Sequence, residues 1–365
     1  MTRPLRLLTA LVALALLAPA CGGDGSGSST EPGPGSSSVT EEEQRAALAS
    51  AADEIVVPGY RLLVDRLEAL GVTLAGLCAR PGADPLAEAR AAWRETAREW
   101  QATRATAVGP AMDRRLMADV GFAARASSVE DLLEGTDPVD VEGLATTGSA
   151  FRGIYAIELL LFGDGADELL TAAGARRCTM ATSASRLAAR ATTAVLDDWT
   201  GGYRDRFVAG LDGGPLTSID ALVNQLIAGL TAVDDSGLRD LVAAETLDDV
   251  PTTRRDGPGA TRMDQHRAVV GAVATVVQGS ARKDRGLAEL VGERSPGTGD
   301  RLRDRARAAA AAMGALPDSV ADSFAAREAL ATAAEAVAAL KVLLATEVAS
   351  QLGITIRFSD ADGDS

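Results

Sequence analysis

The chain has 365 residues, with 36 Lys and Arg against 51 Asp and Glu, a single His and three Cys; its formal net charge is −15. That balance argues against nucleic acid as a partner and against electrostatic adhesion to anionic lipid, since both need a surplus of cationic side chains. One histidine rules out a three-histidine zinc site, and no His-Glu-x-x-His run occurs.

Residues 1–20 read as an export signal. Arg3 and Arg6 make a cationic start, and Leu7 to Leu17 is an apolar run too short for a membrane span. Ala18-Pro19-Ala20 then leads into Cys21 with small residues, which resembles a bacterial lipobox. Cys21 is therefore expected to carry the lipid of a mature lipoprotein, an ordinary secretory signal with a spare cysteine being the alternative. Several acyl chains on one cysteine anchor stably at about 0.8 kcal/mol per buried methylene. Residues 21–38 complete the anchor: after Cys21 they are nearly all Gly, Ser, Pro and acid, a composition that buries no core and serves as a tether. The expected location is extracytoplasmic, lipid-anchored to the bacterial cell membrane. The expected partners are that membrane and an envelope transport protein. Cys78 and Cys178 remain. In an oxidising compartment they are expected to form a disulfide, with two buried free thiols as the alternative.

The body, residues 39–365, reads as helical almost throughout. Residues 41–77 carry helical spacing at Ile55, Leu62, Leu63, Leu67, Leu70 and Leu74, with Pro58 expected to kink or divide the run. Asp84-Pro85 opens a helix reaching about Ala107, whose Trp93 and Trp100, seven apart, share a core-facing side. Residues 111–146 are short pieces. The next helix spans about 147–162, and another runs over 166–210 with a break near Gly201-Gly202. Gly213-Gly214-Pro215 marks a domain boundary, giving bundles at 39–212 and 216–365. In the second half, helices are expected over 217–233, 261–278, 282–291, 298–313 and 320–351, with residues 234–264 otherwise irregular. Ile354 to Phe358 alternates and suggests a short strand or extended tail. The predicted fold is all-α, two packed helical bundles with a short extended C-terminal segment.

One segment carries chemistry. Phe151 to Gly163 is an apolar helix with a single acid, Glu158, and a carboxylate among Ile, Leu and Phe is costly unless it is paired, hydrogen-bonded, protonated or bound to a cation. Tyr155, three residues earlier, shares its face. Either the two form a hydrogen-bonded core network, or Tyr155 and Glu158 bind a metal or ligand, with Glu130, Asp131 and Glu134 as further oxygen donors for a hard cation or Fe(III). His266, within the polar run Arg262 to Arg267, is expected at the surface or in a capping role. Asp360, Asp362 and Asp364 resemble the start of a calcium loop but read better as a polar terminus.

The same segment resembles the "GFHAIEYLLFG" stretch of imelysin-like proteins. Gly153, Ala156, Ile157, Glu158, Leu160, Leu161, Phe162 and Gly163 fit it, while Tyr155 stands where that family has histidine. Val56-Val57-Pro58-Gly59-Tyr60, Ala92-Trp93 through Trp100 to Gly109-Pro110, and Leu352-Gly353-Ile354 through Asp364 are similar to three other imelysin stretches. The resemblance implies a two-domain helical envelope protein of a family named as metallopeptidases, with relatives tied to iron uptake. Its His-x-x-Glu motif was taken as a metal site. It also supports pairing of Cys78 with Cys178, since relatives often carry cysteines near these places. The expected function is non-catalytic binding linked to uptake of iron or a metal-bearing ligand, iron or another metal cation being the implied cofactor. The alternatives are a divergent metallopeptidase using Glu158, and a scaffold or partner-binding lipoprotein that has lost the metal site.

Overall fold

Apolar residues spaced at 3.6 become helix almost everywhere. The computed structural model describes residues 39–280 and 285–357. The expected export signal, Cys21 and expected tether, together with Phe358 and the acidic run at Asp360–Asp364, lie outside these residues. Among the described residues there is no strand.

The main helices before Gly213 are α1 (Glu41–Ala51), α2 (Val57–Ala79), α3 (Ala83–Arg104), α4 (Ala126–Glu134), α5 (Ile154–Phe162) and α6 (Ala175–Asp198). After it come α7 (Pro215–Val233), α8 (Arg262–Gln278), α9 (Leu287–Arg294), α10 (Pro296–Gly314) and α11 (Arg327–Leu343). In the first bundle α2 packs on α3 and α6, and α5 closes against both. In the second, α8 packs on α7, α9 and α10, and α10 packs on α11. Contacts of α3 with α8 and of α1 with α7 join the bundles, so one apolar cluster runs from Leu48 to Leu352. Trp93 and Trp100 lie fully inside it, as their spacing predicts, whereas Leu62 faces solvent.

The run expected to be kinked or divided at Pro58 is split into α1 and α2 just before that residue. A single π turn, Ala52–Val56, precedes it, with the Val57 N–H bonding the Ala52 carbonyl five residues back. Proline has no N–H to give and its ring crowds the preceding turn. Widening that turn by one residue lets the helix continue through it. The expected break near Gly201-Gly202 is present: within a second π turn, Trp199–Tyr203, the chain kinks at Gly202, whose φ of 130° is a conformation only glycine adopts easily. The C-terminal alternation finds no strand to pair with. Instead the Thr355 and Arg357 N–H groups donate to Asp220 (3.1 Å) and Asn224 (2.7 Å), and Asn224 donates to the Thr355 carbonyl at 3.0 Å. Side chains of α7 thus replace a partner strand.

Cys78 and Cys178 are disulfide-bonded, joining the end of α2 to the first turn of α6. The helices run antiparallel. Ser185 donates to the Leu67 carbonyl at 3.0 Å midway, and Arg204 pairs with Asp53 at 2.6 Å beyond the other end. The bond closes a sequence separation of 100 residues. Restricting the unfolded chain over such a loop is worth on the order of 4 kcal/mol. The double substitution Cys78→Ala, Cys178→Ala should therefore lower unfolding free energy in urea by several kcal/mol without changing helix content. Equal midpoints for the two proteins would show that the bond adds nothing.

Candidate functional site

The motif helix α5 is shorter than its sequence pattern. Gly153 stands at its N-cap with φ 82°, and a Cβ there would lie 2.5 Å from the Val120 carbonyl oxygen. The helix therefore starts at Ile154 rather than near 147, with a 3-10 turn at Ser149–Phe151 before it. From Ile154 onward its apolar side chains face the core, and Trp93 donates to the Ile154 carbonyl at 2.7 Å. Glu158 is only 7% exposed.

What covers Glu158 comes from the far side of the chain. The loop Asp256-Gly257-Pro258-Gly259-Ala260 lies across it, and the Gly259 N–H donates to Oε1 at 2.9 Å. Approach this close requires glycine. A Cβ on Gly257 would sit 2.4 Å from Glu158 Oε1, and one on Gly259 would sit 2.4 Å from the Trp93 ring. Asp256 pins the loop by accepting from the Arg262 N–H at 3.1 Å and the Val320 N–H at 2.7 Å. Burial raises the Glu158 carboxyl above the ordinary range; the Gly259 N–H and the nearby Arg262 charge oppose that rise, and Asp256 adds to it.

Tyr155 is held by two glutamines. Its hydroxyl accepts from Gln101 Nε2 at 2.7 Å and donates to Gln265 Oε1 at 3.0 Å, and Gln265 in turn donates to Thr261 at 3.0 Å. The phenol is shifted upward, chiefly by burial, with Arg104 the largest opposing influence. Tyr155 and Glu158 share a face but are bonded to different partners. None of those partners stands out in the sequence, apart from the Gly-Pro-Gly signal of the loop.

The other candidate residues lie elsewhere. Glu130, on α4, is engaged by the buried Arg177 at 2.6 and 3.0 Å, and Asp131 and Glu134 are exposed, so the expected extra oxygen donors do not join Glu158. His266 is not the surface or capping residue expected. It lies in the second turn of α8 with Nε2 buried and lacking a hydrogen-bond partner among the described residues, and a Cβ on Gly237 would come within 2.7 Å of that nitrogen. Burial, then the Arg262 and Arg104 charges, push its pKa down to about 3.

The donor set does not fit a metal cation. Among the described residues no three His, Cys, Asp or Glu side chains gather into a cation site. The Tyr155 phenol, pushed away from phenolate, is already used in both hydrogen-bonding directions. The guanidinium of Arg262 supplies the positive charge near Glu158 that a metal would otherwise bring.

Because the folded state favours protonated Glu158, it binds more protons than the unfolded chain above the ordinary carboxyl value of 4.5. This contribution is fully present below that pH and is lost as pH rises through the raised folded pKa. Glu158→Gln, which keeps an acceptor for Gly259, should gain thermal stability relative to the parent as pH rises from 4.5 to 7. Parallel melting curves at both pH values would sink the assignment.

Residues 56–346 match the profile of the family described as imelysin. Comparison with curated proteins finds no match. Among solved structures, an imelysin-like protein from Psychrobacter arcticum superposes with a TM-score of 0.71 at 16% identity, over 89% of this chain and 99% of that one. A protein from Parabacteroides distasonis, named as an iron-regulated protein A precursor, gives 0.72 at 18% identity over 87% and 98%. At these identities the superpositions establish the shared fold. The family rests on the profile, which spans most of the sequence, and the chain belongs to the imelysin family.

Proposed function

We propose that this protein is a non-catalytic binding lipoprotein of the bacterial cell envelope, anchored through Cys21 and acting in the handling of iron presented as a metal-bearing ligand. The observation that carries the non-catalytic part is the sealed state of the motif. Glu158 lies under the Gly259 peptide, and Tyr155 is spent on Gln101 and Gln265. A hydrolytic centre needs an open coordination position and a base with access to water. The iron-regulated name of one structural neighbour supports the iron part, and the export signal with its cysteine supports the anchor. The two bundles, divided at Gly213-Gly214-Pro215, serve as one platform rather than as the jaws of an enzyme.

Full-length protein incubated with an unfolded substrate such as casein and Zn²⁺ should leave it intact. Metal-dependent cleavage abolished by Glu158→Gln would establish the peptidase instead. In equilibrium dialysis, iron supplied as a chelate should be retained, whereas uncomplexed Fe(III) should be retained equally by the parent and Glu158→Ala. The closed surround of Glu158 also favours a second reading, a partner-binding scaffold, and retention of no iron in any form would make that the better account. Cys21→Ser should release the protein from the membrane fraction, and unchanged membrane association would remove the anchor.

A further inference from the structure

The chain carries a surplus of acid, and a number of its arginines are matched to it: Arg66 pairs with Glu95, Arg114 with Asp198, Arg177 with Glu130 and Arg204 with Asp53. Arg90 and Arg94, one turn apart on α3, are different. Among the described residues neither has an ion-pair partner. Each is instead fixed by a backbone carbonyl and an aromatic face. Arg90 Nε donates to the Leu161 carbonyl at 2.8 Å, in the last turn of α5, where carbonyls lack a partner within the helix. Arg94 Nε reaches the Gly259 carbonyl at 3.5 Å. Both guanidinium carbons lie over the Phe162 ring, at 5.2 and 5.0 Å from its centroid, and Trp93 braces that ring edge-on at 5.2 Å.

Two consequences follow from this arrangement. Each guanidinium is oriented through Nε, which leaves the Nη groups unused. A planar fork held in place loses less entropy when it binds a carboxylate bidentately than a free lysine or a mobile arginine does. Arg94 is exposed and Arg90 is partly so, which leaves the pair open to solvent at the rim of the loop that covers Glu158. Two cationic forks anchored to one ring suit a ligand with more than one carboxylate, each fork taking one. An overall acidic surface would repel such a ligand elsewhere.

We propose that the Nη groups of Arg90 and Arg94, set over Phe162, form a binding site for a polycarboxylate anion. This rests on the binding reading above and gives it a ligand class: an anionic, carboxylate-rich chelate rather than a bare cation. The Gly259 peptide lies between the two features, its N–H on Glu158 and its carbonyl on Arg94.

The test is calorimetric titration of the full-length protein in detergent, at low ionic strength, with citrate, ferric citrate and orthophosphate as probes. Citrate should bind, and Arg90→Gln and Arg94→Gln should each weaken it by about tenfold or more, with thermal midpoints close to the parent. Arg94→Lys, which keeps the charge but not the fork, should weaken it by a similar factor. Absence of citrate binding at about 1 mM, or affinity unchanged in both glutamine variants, would overturn the site. Orthophosphate binding as tightly as citrate would overturn the polycarboxylate class. Ferric citrate binding that ignores both arginines would reject this site while keeping the iron-handling function. Arginine-dependent citrate binding with no preference for the iron-loaded form would keep the site and remove iron from the function.

Discussion

A carboxylate in an apolar helix must be satisfied, and the way Glu158 is satisfied shapes much of the surrounding structure. Its partner is the N–H of a glycine 101 residues later. That single bond requires a chain segment thin enough to pass over the acid, hence glycines on both sides of Pro258. It requires the segment to be pinned, hence Asp256 accepting from two main-chain N–H groups. It also requires α3 and α8 to lie together, since Trp93 and Arg94 meet the same glycine from the α3 side. One buried oxygen thus ties the first half of the chain to the second, beside the packing of α3 on α8 and of α1 on α7. An unsatisfied carboxylate there would be very unfavourable, so the loop and the motif helix form as a pair.

The imelysin family carries a peptidase label, and in this member the polar atoms of the motif helix are engaged within the fold. A histidine at position 155 would offer a nitrogen lone pair. Tyrosine offers a hydroxyl, and here that hydroxyl bridges two amides, one from α3 and one from α8. The hydroxyl serves as a tie between helices. Arg262 places a positive charge near the acid, which opposes the rise that burial gives the Glu158 carboxyl.

The long helices were legible because burial imposes a 3.6-residue period that survives without any knowledge of partners; α7, with Leu222, Leu226 and Leu230 inside, is the plainest case. Helix ends and irregular turns were less so. Pro58 announces a disturbance but not that a π turn will absorb it, and Gly153 looks like one more glycine until the Val120 carbonyl behind it is seen. Within the site, the sequence exposes the anomaly, an acid on a greasy helix, because that is a local fact. Its resolution was hidden, because Gln101, Gly259 and Gln265 are ordinary residues made special only by distance across the fold. Glu130 illustrates the converse: near in sequence, suitable in chemistry, and committed to Arg177.

The enclosed imidazole of His266 has a further consequence. Histidine is the side chain that ordinarily changes charge between pH 5 and 8. Here the only histidine in the chain is kept neutral down to about 3. No imidazole therefore gains or loses a proton over the range in which surroundings usually vary. The response of this fold to acid therefore falls to its carboxylates, with Glu158 among them, rather than to an imidazole.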